Sequence, residues 1–375
     1  MDMWTGNWSF VNGTASAGVP YALELTSDIV TTIMTIAPVV YGTVTVVGLL
    51  GNLLVIYVLL CHTRERDATN CYTLNLALAD ALFLLGVPFS LASNAMGRWV
   101  FGGAMCKIVL FLDALNMFSS VFNLAVLSVD RYLATVRANS HTHLRRRKVV
   151  TAVSLSVWVA AFLLTIPVLA IGDVFLLEDG NHVCILNWPD DKSLFKVFIS
   201  YTFIVGFVLP VTVMSVSYLA VVRHLRRNTS AHPAVAKVSI KMRREVAKKV
   251  SAMIVAFVVC WLPFHVCQLL NLTIDLPPTP TVLVLLHLSL AMSYVKTCVN
   301  PVIYVFMSQK FRGSLRAALR LDRAKPAGRM YVHERANVAL RRLEIPGIFH
   351  EEKREVDVGT LQCSERAIYS IETAV

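Results

Sequence analysis

Seven apolar stretches, each long enough to cross a bilayer, constrain this chain of 375 residues more than any other feature. They run roughly over 34–60, 71–95, 103–136, 148–171, 195–225, 246–273 and 281–307. A hydrocarbon core about 30 Å thick is crossed by about 20 helical residues. Within it every backbone N–H and C=O must be paired by the protein itself, which a helix does along its whole interior. The runs therefore predict an all-α fold, a seven-transmembrane helix bundle. Pro88, Pro167, Pro210, Pro263 and Pro301 lie inside them. In a bundle such prolines are tolerated as kinks, because neighbouring helices satisfy the freed backbone groups. Hydrophobic residues make up 56% of the chain and charged residues 16%, which excludes an ordinary soluble enzyme.

The formal net charge of +11 does not imply nucleic acid, because the basic residues are segregated. Arg137, Arg145, Arg146, Arg147 and Lys148 follow the third run, Arg223 to Lys249 connect the fifth and sixth, and Lys310 to Arg329 follow the seventh. The alternate connections carry Asp173, Glu178, Asp179, Asp190, Asp191 and Asp275. This asymmetry predicts an outer N-terminus and a cytoplasmic C-terminus in a multi-pass plasma-membrane protein, with the basic clusters serving as topology signals and contacts for anionic lipid. Four parts are expected: an outer tail over 1–33, the bundle over 34–307, an amphipathic surface helix over 308–321 and a cytoplasmic, disordered tail over 322–375. The first 30 or so residues lack a basic start followed by an apolar core, so the first span is expected to act as an uncleaved anchor. Asn7 and Asn12 head glycosylation sequons in the outer tail, whereas the sequon at Asn271 falls at a helix end and is expected to stay bare.

Of eight cysteines, Cys106 and Cys184 alone fall on the oxidising side, which predicts a disulfide pinning the second outer loop to the start of the third span. The other six are expected to be reduced. Polar residues at membrane depth are costly and therefore informative. Asn52 lies in the first span, and Asp80 ends Leu-Asn-Leu-Ala-Leu-Ala-Asp in the second. Asp130-Arg131-Tyr132 closes the third span, Cys260-Trp261-Leu262-Pro263 interrupts the sixth, and Asn300-Pro301-Val302-Ile303-Tyr304 ends the seventh.

That ordered set resembles the rhodopsin-like family of G-protein-coupled receptors from about residue 34 to 321. The resemblance implies no enzymatic activity and no cofactor. It implies that Asp130 holds Arg131 at rest and releases it to a heterotrimeric G protein. Trp261 is implied to shift on ligand binding and swing the sixth span about Pro263, with Asn300 and Tyr304 rearranging. In such receptors Asp80, Ser120, Asn300 and a small polar residue at the place of Lys296 ring a sodium ion. Lys296 instead lies one turn before Asn300 on the same face, where its ammonium is expected to pair with Asp80 and take the ion's place; the alternative is that its stem bends toward lipid or the neighbouring span and Asp80 still binds sodium.

Asp113 lies seven residues, two turns, inward of Cys106, and the resemblance implies that its carboxylate faces a cationic ligand. Tyr294 is its expected hydrogen-bond partner. The segments Asp113-Ala-Leu-Asn-Met117-Phe-Ser-Ser and Pro263-Phe264-His-Val-Cys-Gln268-Leu-Leu-Asn-Leu resemble the somatostatin receptors, which implies a cationic peptide ligand and inhibitory G proteins. Arg98-Trp-Val-Phe-Gly-Gly is similar to melanin-concentrating-hormone receptors, and Leu276-Pro-Pro-Thr-Pro to neuropeptide B/W receptors; these and the opioid receptors share the Asp113 logic. The segment around Lys296 also looks like the retinal-binding segment of opsins, but there the lysine stands seven residues before the proline and here it stands five before Pro301. Arrestin is a further implied partner. The terminal Glu372-Thr373-Ala374-Val375, with Thr373 two before the last residue, fits peptides that PDZ domains add as a strand.

Overall fold

The computed structural model describes residues 20–63, 68–137, 142–177, 180–188, 192–227, 235–274, 279–307 and 309–318. Asn7, Asn12, Thr373 and Val375 lie outside them. Among the described residues seven helices are long and apolar enough to cross a membrane. They are α1 (Thr35–His62), α2 (Ala68–Met96), α3 (Gly102–Val136), α4 (Arg147–Ile171), α5 (Ser193–Arg227), α6 (Ala247–Ile274) and α7 (Val284–Met307). Each overlaps one apolar run. The helix containing α1 starts at Pro20 and that containing α6 at Val235. Hydropathy registers only the part of a helix that meets hydrocarbon, so the polar turns before α6 escaped it.

The outward faces are apolar: Val39, Val46 and Leu50 on α1, Val159, Phe162 and Leu163 on α4, and Phe306 on α7 are exposed. In water such a surface would aggregate, whereas in lipid it is the solvated state. The interior is held by close backbone approach and by polar bridges. A Cβ on Gly51 would stand 3.0 Å from Pro301 Cβ, and one on Gly48 only 2.9 Å from Leu84 Cδ1. Those glycines let α1 lie against α2 and α7. There the Asn52 amide donates to the Thr297 carbonyl at 3.0 Å. Trp158 Nε1 likewise reaches Asn75 Oδ1 at 3.4 Å, joining α4 to α2. In α5 a π turn, Ile204–Val208, precedes Pro210 and absorbs the hydrogen bond that proline cannot donate. A Cβ added at Gly206 within that turn would stand 3.6 Å from Phe118 and 3.8 Å from Met117 of α3.

Between α4 and α5 the chain forms an antiparallel hairpin of β1 (Gly172–Leu176) and β2 (His182–Leu186), in which Val174 faces Cys184. Cys184 is disulfide-bonded to Cys106 at the start of α3. The Trp99 amide donates to the His182 carbonyl at 2.6 Å, a second tie between hairpin and bundle. Replacing either cysteine by Ser is therefore expected to give one and the same loss of ligand binding, and the double variant should be no worse than either single. Radioligand binding to the three variants checks this, and additive losses would mean that the two sulfurs act independently.

Cys71, Cys260, Cys267 and Cys298 are free thiols, as expected. A short helix, α8 (Gln309–Ala318), follows α7. It buries Phe311, whose ring lies 6.2 Å from that of Tyr304.

Candidate functional site

The polar side chains inside the bundle fall into three tiers between the hairpin end and the far end of α3. Nearest the hairpin, Asp113 is half-buried on α3, and Met117 lies buried one turn deeper. Phe264 and Gln268, one turn apart on α6, are both buried, as is Tyr294 on α7. Tyr294 packs edge-on against Tyr41 at 5.0 Å and Phe83 at 4.9 Å, and it stands within electrostatic reach of Asp113. The five residues expected to meet ligand thus sit on three helices, α3, α6 and α7, and the hairpin is tied to the start of the first of them.

Beneath them lies an aromatic block. Trp261 is 5.7 Å from Phe264 edge to face and 5.8 Å from His265. His265 in turn lies 4.9 Å from Phe207 of α5, beside the π turn. The buried Trp261 Nε1 and His265 Nε2 have no hydrogen-bond partner among the described residues. A shift of the Trp261 ring therefore costs packing but breaks no protein hydrogen bond, which suits a residue expected to move. The sequence reading missed His265, although its position one turn after Trp261 was a usable signal.

The second tier centres on Asp80 of α2, which is 0% exposed. Its Oδ1 accepts from Asn116 Nδ2 at 2.9 Å, Ser120 Oγ at 3.0 Å and Lys296 Nζ at 2.9 Å. Its Oδ2 accepts from Asn300 Nδ2 at 2.9 Å. Asp80, Ser120, Lys296 and Asn300 are brought together, and Asn116 joins them unannounced. The signal for Asn116 was present, since it lies one turn before Ser120 on the same face of α3. Lys296 is 2% exposed, so this is a buried ion pair set among neutral donors. The sodium ion that the family resemblance implies does not suit these residues. A hard cation takes oxygen ligands. The groups turned toward Asp80 are two amide nitrogens, a hydroxyl and an ammonium.

The third tier closes α3. Asp130 Oδ2 accepts from Arg131 Nε at 3.0 Å and from Thr69 Oγ1 at 3.2 Å, and Arg131 Nη2 also contacts both groups. Asp130 Oδ1 accepts from Arg145 Nε at 2.7 Å. Two guanidinium groups therefore share one carboxylate. Arg145 had been read only as a topology charge, and its place in the 3₁₀ turn Thr142–Arg145 carries it back to α3. Tyr132 OH accepts from Arg137 Nε at 3.5 Å. Lys249 of α6, another residue counted only as a topology charge, sets its ammonium 4.2 Å from the ring centre of Tyr304 on α7. That cation–π contact ties together the helices bearing Pro263 and Pro301 at the end of the bundle where α3 closes.

Residues 51–304 match the family described as 7 transmembrane receptor (rhodopsin family). Among characterised proteins, the human somatostatin receptor type 3 is 42% identical over 287 residues, covering 75% of this chain and 67% of that receptor. The rat somatostatin receptor type 4 is 42% identical over 289 residues, covering 75% and 72%. The rat somatostatin receptor type 5 is 39% identical over 323 residues, covering 84% and 83%.

Proposed function

The chain belongs to the rhodopsin family of seven-transmembrane receptors, and from that premise we propose that it is a receptor for a cationic, somatostatin-like neuropeptide that lowers cAMP through an inhibitory heterotrimeric G protein. The observation that carries this reading is the half-buried Asp113 at the hairpin end, flanked by Met117, Gln268 and Tyr294 in a chain 42% identical to a somatostatin receptor. A carboxylate in that setting selects an ammonium or guanidinium from the peptide, and the buried amide of Gln268 adds a directional hydrogen bond. The hairpin end faces outward and the Arg131 end meets the G protein, an orientation supported by the basic clusters next to Arg131 and Lys249. Release of Arg131 from Asp130 frees a guanidinium for the G protein. Arrestin at the same end, a PDZ-domain protein on Thr373 and Val375, and anionic lipid along α8 are further proposed partners.

Receptors for melanin-concentrating hormone, neuropeptide B/W and opioid peptides use the same kind of anchor, so the test sets them side by side. In cells expressing the full chain, somatostatin should suppress stimulated cAMP at lower concentration than melanin-concentrating hormone, neuropeptide W or an opioid peptide. Suppression by one of the other three alone would overturn the assignment. An opsin-type reading loses its chemical basis, because Lys296 is engaged with Asp80 and Tyr294 stands where opsins carry the retinal lysine.

A further inference from the structure

Relatives in this family are implied to hold a sodium ion at the carboxylate of α2, and the surroundings of Asp80 argue that this chain does not. We propose that the Lys296 ammonium is a permanent, covalently tethered replacement for that ion, so that the protein neither binds sodium at Asp80 nor is stabilised by it.

Four donors from two helices converge on the ionised Asp80 carboxylate: Asn116 and Ser120 of α3 and Lys296 of α7 on Oδ1, and Asn300 of α7 on Oδ2. Of these, the asparagines and the serine could turn an oxygen toward a metal ion. An ammonium has only donors and can never ligate one. Lys296 Nζ lies 2.9 Å from Asp80 Oδ1, which is the span of a charge-assisted hydrogen bond and leaves no room for an ion between them. Charge leads to the same conclusion. The Asp80–Lys296 pair is neutral as it stands, and at 0% and 2% side-chain exposure it is cut off from water. Adding sodium would place an uncompensated positive charge beside an ammonium in a poorly screened interior. Expelling the ammonium to admit sodium would be no easier, because the lysine stem emerges from a helix face packed inside the bundle.

The origin of the lysine's reach is local. Lys296 and Asn300 are one turn apart on α7, so both point at α2, and the longer side chain delivers its charge to Oδ1 while Asn300 donates to Oδ2. The tethered cation differs from an ion in one physical respect. Its concentration is fixed by the chain, so the occupancy of the site does not follow the salt around the protein, whereas an ion's contribution grows with its concentration over its dissociation constant.

The test needs no agonist and so stands or falls separately from the ligand assignment. The purified, ligand-free, full-length protein in detergent is unfolded thermally across a series in which sodium chloride replaces choline chloride at constant ionic strength. The wild-type midpoint should be the same at both ends of the series. Lys296→Asn should gain a midpoint that rises with sodium by about 2–4 °C once the ion exceeds its dissociation constant several-fold. The double variant Asp80→Asn with Lys296→Asn should again be flat, since the carboxylate is what the ion would bind. Should Lys296→Asn not accumulate as folded protein, Lys296→Ser serves the same purpose with a smaller oxygen donor. A wild-type midpoint that climbs with sodium would overturn the proposal. So would a sodium-indifferent single variant, because Lys296 would then not be what keeps the ion out.

Discussion

Asp80→Asn is expected to be among the most destabilising single substitutions in the bundle, at about 3–5 kcal/mol. It leaves the Lys296 ammonium buried among donors, with only a neutral amide oxygen where a carboxylate had been. Lys296→Met should cost less. After that change Asp80 still accepts from Asn116, Ser120 and Asn300, so its charge remains partly satisfied. The informative variant is the double one. With both charges gone, Asn at 80 retains hydrogen-bonding partners and Met at 296 packs as an apolar side chain of similar length. The double loss should therefore fall well below the sum of the singles. Thermal midpoints and surface expression of the three variants give the coupling directly. Simple additivity would mean that the two charges do not stabilise one another, despite their 2.9 Å separation.

Asp113→Asn should weaken agonist binding by about 2–5 kcal/mol, which is roughly thirty-fold to several thousand-fold in affinity. The substitution preserves shape and removes charge, so the deficit measures the ionic part of peptide recognition. Because Asp113 is half-buried at the mouth and not enclosed like Asp80, surface expression should stay near wild type. Competition binding with somatostatin, alongside an antibody count of receptors at the surface, separates affinity from folding. Unchanged potency would remove Asp113 as the anchor. A loss that tracked surface expression would make its role structural.

Residue order was enough for the number of spans, their approximate limits, and the one polar motif carried by most of them. Helical periodicity and bilayer thickness act on contiguous residues, so a window along the chain contains what it needs. The pairing of Cys106 with Cys184 was also legible, through redox compartment and not through distance. One turn of spacing between Lys296 and Asn300 placed both on the same face of α7, and the family resemblance directed that face toward Asp80.

The remainder required helices to be set against one another. The four donors on Asp80 stand 36, 40, 216 and 220 residues away in sequence. Their meeting depends on the rotation and depth of α2, α3 and α7, and those are settled by contacts such as Gly48 with Leu84 and Gly51 with Pro301. Asn116 was visible as a polar residue but not as a member of the cluster, because a helix's own period does not reveal the height at which its neighbours lie. Arg145 and Lys249 were counted as surface charge. Packing turned the first onto Asp130 and laid the second over Tyr304. Charge sums along a chain are blind to such changes, since long basic side chains reach either water or a buried partner, and only the tertiary arrangement decides which is closer.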